Sequence, residues 1–236
     1  MQDFTSTFGN SAANAQPASR AEFIRKTYML LALAIAAFIG VEAFLFSTPF
    51  GGLIAYGILG TGGIGWLVVL GLFMLISYIA NSWAVSNTSV AKQYVGLGIY
   101  ILAEAIIFVP LLFMAAYYSA DQFVILKAGI VSIGLFLGIT ATVFLTRSDF
   151  SFLAPILSIG GFAALGFIVA SLLFGFTLGN LFAFLMVAFA GTAILYQTSN
   201  VMHRFRTDQH VAAALVLFAS VALLFWYILR IFSSRR

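Results

Sequence analysis

The sequence predicts an all-α membrane protein, and three features of its composition support this fold class. Of its 236 residues, 63% are hydrophobic and 8% are charged, whereas a soluble domain carries about 25% charged residues. Seven acids and eleven bases cannot keep the surface of a soluble protein of this length in contact with water. The hydrophobic residues form seven long runs, each about as long as a helix that crosses a lipid bilayer.

Composition also excludes several function classes. Cysteine is absent, so disulfides, thiolate metal sites and thiol redox chemistry are excluded. The formal net charge of +4 is spread over loops and chain ends, which favours contact with lipid headgroups over nucleic-acid binding. We expect the lipid bilayer as the main partner, and neither a cofactor nor a resident metal.

The first segment, residues 1–19, is predicted to be a disordered cytoplasmic tail. It is rich in Ser, Ala, Asn and Gln and lacks the apolar centre that a signal peptide requires. Residues 20–236 form the predicted membrane domain, which begins with a cluster of charged residues before the first span. The predicted spans are 27–46, 60–80, 94–117, 123–145, 153–174, 178–197 and 211–232.

The connection between the first two spans, residues 47–63, is predicted to be bent or interfacial. It holds Pro49 and six glycines. The run GTGGIG at 60–65 resembles a phosphate-binding loop in composition alone, because it lacks the lysine and the preceding strand of that motif. Close helix packing through small residues is the favoured interpretation of this run.

Basic residues in the loops predict a cytoplasmic N-terminus. In that orientation the inner segments carry seven bases and the outer segments carry four, of which three are Arg230, Arg235 and Arg236. If the last run were re-entrant, both ends would lie inside and the count would be ten against one. That run would be roughly 30 Å long as a helix, which is sufficient to cross, so we expect seven crossings.

Two carboxylic acids within the spans are candidates for a functional site. An ionisable group near the bilayer centre costs about 2.5–3.5 kcal/mol on insertion scales, so each one requires a physical reason. Glu104 lies near the midplane, about ten residues or roughly 15 Å into the third span. Glu42 lies about one turn from the outer end of the first span and could reach the headgroups.

The sequence leaves two interpretations of Glu104 open. It could be a proton or cation site in a hydrated cavity, or a hydrogen-bonded carboxyl that fixes helix packing. Calcium prefers about six to eight oxygen ligands, so a single carboxylate would be a poor calcium site. For Glu42 the structural interpretation is favoured. Pro110 frees a backbone carbonyl near Ile106, which could bend the helix or line a cavity.

The segment before the last span is predicted to be a basic hinge at the inner surface. A solvated hinge is favoured over a metal or pH-sensing site, because arginines and an aspartate surround the two histidines. We expect no catalytic site and no enzyme, since the chain lacks an HExxH motif and no Ser or His within a span has a general base beside it. The hinge residues are His203, Arg204, Arg206, Asp208 and His210.

Four segments together carry a resemblance to a known family. They are FIRKTYMLLALA at the first span, TRSDFSFLAPIL after the fourth, ILYQTSN ending the sixth, and HVAAALVLFASVALLFWYILRIF in the last. In this order and at this length they resemble the Bax inhibitor-1 family, the transmembrane BAX inhibitor motif proteins, in a bacterial form. The resemblance extends over nearly all of residues 23–236.

The resemblance implies a seven-helix bundle in which the last helix is central and wrapped by the other six. It also implies a pH-sensitive calcium leak controlled by two aspartates, one in an ILYDTS-like stretch and one midway along the final helix. The matching positions here hold Gln197 and Ser220, which can form hydrogen bonds but carry no titratable charge. We therefore hypothesise that Glu104 faces the last helix and has taken over part of the polar chemistry.

Two main functional hypotheses follow. The first is a cation leak channel of a bacterial inner membrane, conducting calcium or protons with altered pH gating. The second is a non-conducting membrane protein that modulates a membrane protease or another membrane complex, and the loss of the acid pair adds weight to it. An intramembrane enzyme is a third hypothesis with little support from the residues.

Overall fold

The computed structural model describes residues 11–85 and 89–234, and these residues fold into a bundle of eight helices. Seven of these helices are long and apolar enough to cross a membrane, and α2 is shorter. The predicted all-α membrane fold is therefore confirmed. The helices are α1 (Pro17–Ser47), α2 (Pro49–Leu59), α3 (Gly62–Ala84), α4 (Val90–Tyr118), α5 (Val124–Thr146), α6 (Leu153–Phe174), α7 (Gly179–His203) and α8 (His210–Ser233).

Helix α1 begins ten residues before the predicted first span. Pro17 occupies the first helical position, where its fixed φ favours a helix start. The charged residues before the predicted span continue the helix, and Glu22 forms an ion pair of 2.7 Å with Lys26 one turn later. Hydropathy detects only the apolar part of a helix, so the polar first section of α1 was missed.

Helix α8 is the central helix of the bundle. In its most apolar segment of 18 residues, 72% of the residues are buried, whereas none is buried in the corresponding segment of α6. It packs against α1, α3, α4, α5 and α7. Three consecutive small residues, Ala212, Ala213 and Ala214, are buried near its start and allow neighbouring helices to approach closely. The central position of α8 agrees with what the family resemblance implied, but the main helix contacts of α8 do not include α6.

Aromatic rings of α1 and α4 pack against α8. The Phe38 ring lies 5.1 Å from the Phe108 ring and 6.1 Å from the Phe218 ring. Tyr100 contacts Phe218, and Phe108 contacts Phe225, so residue numbers rise together along α4 and α8. The two helices are therefore parallel. Helices α3 and α6 lie at the periphery, where 6% and 0% of their apolar windows are buried.

Glycine allows α3 and α4 to pack backbone against backbone. A Cβ atom at Gly96 would lie 2.7 Å from the Ala80 carbonyl oxygen and 3.0 Å from Trp83 Cβ. At Gly98, on the same helix, a Cβ atom would meet nothing within 4 Å.

Gly96→Ala is expected to destabilise the bundle by about 1–3 kcal/mol, because the added methyl group overpacks the α3–α4 contact. The matched variant Gly98→Ala should be neutral or stabilising, since alanine favours a helix by about 1 kcal/mol over glycine. Thermal unfolding of both variants in the same detergent measures the difference. Equal melting temperatures would show that the two helices do not touch at Gly96.

The close packing predicted for the glycine run occurs at Gly63. A Cβ atom there would overlap the Leu172 carbonyl oxygen, so the start of α3 lies directly against the end of α6. The connection before this run contains α2, which begins at Pro49 and packs against α1, α3 and α4. Pro110 lies inside α4, and the helix continues beyond it to Tyr118.

Candidate functional site

A cavity of about 680 Å³ lies between α3, α4, α6 and α8, near the C-terminal end of α8. We call it the outer cavity, after the predicted orientation. Its walls are mostly apolar and aromatic, and it carries two ionisable side chains of opposite sign, Glu104 and Arg230. Other lining residues include Trp66, Leu70, Phe73, Phe108, Leu223 and Trp226.

Glu104 is buried inside the bundle and lines the outer cavity together with residues of α8. The residue is 6% exposed, and its Oε2 atom has no hydrogen-bond partner among the described residues. The Tyr100 hydroxyl lies beside the carboxyl, one helical turn earlier on α4. A buried polar atom without a partner is costly, so this oxygen would gain from a hydrogen bond or an ion that reaches it from the cavity.

A second cavity of about 490 Å³, the inner cavity, lies between α3, α4, α7 and α8. Gln197 and Ser220, the positions where the family carries aspartates, both line it. Each makes a hydrogen bond within its own helix: Gln197 Oε1 accepts one of 3.3 Å from Asn200, and Ser220 donates one of 2.9 Å to the Val216 carbonyl. The two positions therefore share a cavity, and a charged pair placed there would be held close together.

An aromatic layer formed by Phe73 and Tyr100 separates the two cavities. The two rings lie 6.0 Å apart, and the Tyr100 ring is 6.1 Å from Phe218 of the central helix. Phe73 lines both cavities, Tyr100 lines the inner one and Glu104 lines the outer one. The structure thus brings Gln197 and Ser220 together on one side of this layer and places Glu104 on the other.

Glu42 is buried within the bundle. The residue is 7% exposed, and both carboxyl oxygens are buried without a partner among the described residues. Helix α1 continues beyond it to Ser47, and α2 packs against α1. Glu42 is absent from the lining of both cavities described above.

The two histidines of the basic hinge do not form a common site. His203 ends α7, where its Nδ1 atom lies 3.0 Å from the Ser199 carbonyl oxygen. His210 begins α8, and its Nε2 atom lies 3.2 Å from the Tyr94 hydroxyl of α4. The turn between the helices is not helical, so the two rings do not share a helix face.

An ion pair stabilises the turn between α7 and α8. The Arg206 guanidinium binds the Asp208 carboxylate through two nitrogen atoms, with an Nε to Oδ1 distance of 3.0 Å. This hydrogen bond lowers the pKa of Asp208, so the carboxylate is charged at neutral pH. Arg204 follows the last residue of α7, and its backbone N–H donates to the Asn200 carbonyl oxygen at 2.8 Å.

The end of the predicted disordered tail is ordered against this turn. Residues 1–10 lie outside the described residues, and disorder remains a prediction for them. Ala12 is fully buried, and its N–H donates a 2.8 Å hydrogen bond to the Phe205 carbonyl oxygen. Ser11 pairs with Arg206 in an antiparallel bridge. Composition could not identify this contact, because it depends on one small side chain and on backbone groups.

Sequence reasoning missed two of the residues that define the site. Tyr100 precedes Glu104 by four positions, and this spacing places two side chains on the same face of a helix. The sequence therefore contained a signal that Tyr100 lies beside Glu104. Phe73 had no comparable signal, since the chain contains 26 phenylalanines.

The fold and the cavities define a polytopic membrane protein with seven long apolar helices among the described residues and two mostly apolar cavities beside its central helix. The chain belongs to the Bax inhibitor-1 family. The sequence model of the family described as "Inhibitor of apoptosis-promoting Bax1" matches residues 20–236. The match confirms the resemblance carried by the four segments.

Relatives of this chain occur in bacteria and in an animal. An uncharacterized protein of Pseudomonas aeruginosa is 31% identical, with 89% of this chain and 87% of the relative covered. An uncharacterized protein of Neisseria meningitidis is 27% identical, with 93% of this chain and 94% of the relative covered. Mouse protein lifeguard 4 is 26% identical, with 94% and 89% covered.

Proposed function

We propose that the protein provides a leak path for small cations, calcium foremost, across the bacterial inner membrane. The observation that carries the proposal is the arrangement of the two cavities beside α8, with the aromatic layer of Phe73 and Tyr100 between them. An ion entering the outer cavity meets Glu104, passes the aromatic layer and reaches the amide and hydroxyl oxygens of Gln197 and Ser220. The proposed N-terminus is cytoplasmic, so the inner cavity faces the cytoplasm.

The proposed pH response differs from that of a two-aspartate site. Gln197 and Ser220 cannot exchange protons at ordinary pH, so the inner cavity lacks a titrating pair at the family positions. Glu104 is the carboxyl group closest to the aromatic layer among the described residues that line these cavities. When charged it attracts a cation to the layer, and when protonated it does not. One carboxylate holds calcium weakly, which suits passage better than storage.

Calcium flux into proteoliposomes that contain a trapped indicator tests this proposal. The parent protein should admit calcium faster than protein-free liposomes do. Phe73→Ala should increase the flux several-fold, because it removes one of the two rings between the cavities. The matched variant Phe162→Ala, which alters a ring on the exposed face of α6, should behave like the parent. Flux no greater than that of protein-free liposomes in both parent and Phe73→Ala would refute the proposal.

The alternative is a non-conducting protein that modulates a membrane protease or another membrane complex. It is favoured by the neutral Gln197 and Ser220, which remove the charge that the family places in the inner cavity. Under this alternative the flux assay is negative, and a specific membrane protein co-purifies in mild detergent.

A further inference from the structure

The outer cavity contains an arginine without an acidic partner among the described residues and a carboxyl group with one unpartnered oxygen. Arg230 lines the cavity, and no acidic side chain among the described residues lies within ion-pair distance of it. Glu104 lines the same cavity with an unpartnered Oε2 atom. The cavity therefore offers a cation that can bind an acid and a buried oxygen that can accept a hydrogen bond.

Helix register gives the separation of these two groups. Phe108 of α4 packs against Trp226 of α8, with ring centroids 4.9 Å apart, so these residues lie at about the same depth. Glu104 precedes Phe108 by one turn, and Arg230 follows Trp226 by one turn on the parallel helix. At about 1.5 Å per residue, the two positions are roughly 12 Å apart along the bundle axis.

The walls between the two groups are mostly apolar. Rings of Trp66, Phe108 and Trp226 line the cavity together with aliphatic side chains. Gly63 and Leu172 bring the backbones of α3 and α6 into contact beside the cavity. A ligand with an apolar body of about 12 Å would bury apolar surface against these side chains, which is the main source of affinity for such a site.

We propose that the outer cavity binds an amphiphilic hydroxy acid. Its anionic group pairs with Arg230, its aliphatic or aromatic body lies against the tryptophan and phenylalanine rings, and its terminal hydroxyl donates a hydrogen bond to Glu104. The charge-assisted contact would give Arg230 an acidic partner, and the hydrogen bond would give the Oε2 atom of Glu104 a donor. Such a ligand also occupies the entrance of the proposed ion path, but its binding does not depend on conduction.

Tryptophan fluorescence provides the readout. Two of the three tryptophans, Trp66 and Trp226, line the cavity, and Trp83 lies elsewhere. Detergent-solubilised protein is titrated with three probes of equal chain length: ω-hydroxydecanoate, decanoate and decanol. The first has both polar ends, the second has the acid alone and the third has the hydroxyl alone. Comparing parent and variants in the same micelles cancels the partitioning of each probe into detergent.

In the parent, ω-hydroxydecanoate should bind roughly threefold to tenfold tighter than decanoate or decanol, the ratio expected for one added hydrogen bond or more. Arg230→Gln should remove the advantage of the hydroxy acid over decanol, and Glu104→Leu should remove its advantage over decanoate. Lys127→Gln changes a lysine that pairs with Asp121 away from the cavity, and it should leave all three affinities unchanged.

Equal affinities of the three probes for the parent, or an Arg230→Gln variant that binds as the parent does, would overturn this proposal. The Arg230→Gln result decides the matter even where Glu104→Leu fails to fold. Since the readout is binding, a protein that fails to conduct calcium can still pass this test, and one that conducts can still fail it.

Discussion

Glu104→Gln is expected to abolish the pH dependence of calcium flux through the reconstituted protein. Glutamine has nearly the same shape and still accepts a hydrogen bond, but it cannot gain or lose a proton. The other ionisable side chains that line the two cavities in the described structure are tyrosines and Arg230. Tyrosine and arginine ordinarily keep one charge state around neutral pH. Flux into calcium-indicator liposomes, measured on both sides of neutral pH, gives the profile.

Glu42→Gln is the matched control for this prediction. Glu42 is also a buried carboxyl with no partner for either oxygen among the described residues, but it does not line the two cavities. A general effect of removing a buried acid would appear in both variants. We expect Glu42→Gln to retain the pH profile of the parent. A Glu104→Gln protein whose flux still responds to pH, or a Glu42→Gln protein whose response is lost, would contradict the assigned role.

Restoring the family's two acids with Gln197→Asp and Ser220→Asp should add a second pH-dependent transition to the flux. Both positions line the inner cavity, so the two new carboxylates would interact and titrate as a pair. They would also supply up to about four oxygens for calcium, against the two of Glu104. Calcium should therefore raise the melting temperature of the double variant by binding the folded state.

The two single variants serve as controls for the restored pair. Each adds one carboxylate to the inner cavity and cannot form a proton-sharing pair. We expect neither to reproduce the second transition. If the double variant has the pH profile and the calcium response of the parent, then the two positions do not face a common cavity.

The helices could be predicted from the sequence, but their arrangement could not. Each span is an apolar run of bilayer length, and that property is local to the run. Helices α6 and α8 have nearly the same mean hydropathy, yet the apolar window of α6 is 0% buried and that of α8 is 72% buried. In a membrane, lipid and protein interior both favour apolar side chains, so composition cannot separate them. The central position of α8 was available through the family resemblance alone.

The sequence predicted those site residues whose placement in a membrane costs free energy or whose identity departs from the family pattern. Glu104 stood out because a midplane acid requires a physical reason, and it lies in the wall of a cavity. Gln197 and Ser220 were found by their departure from the family pattern. The burial of Glu42 depends on how the helices pack and has no local signal in the sequence. Phe73 could not be distinguished from the other aromatic residues before the arrangement of the helices was known.

Thiol accessibility along α8 can be measured on single introduced cysteines, because the chain contains no native cysteine. If α8 is a buried central helix with one hydrated face, water reaches that face through the inner cavity. Ser220→Cys places a thiol in that cavity, and Leu217→Cys places one on a fully buried part of the same helix. A membrane-impermeant thiol reagent is applied to sealed vesicles from each side in turn.

Ser220→Cys should react when the reagent is on the side of the N-terminus, and Leu217→Cys should react from neither side. If the thiols at 217 and 220 react alike, or if Ser220→Cys reacts from the opposite side alone, then the inner cavity does not connect the central helix to the cytoplasmic face.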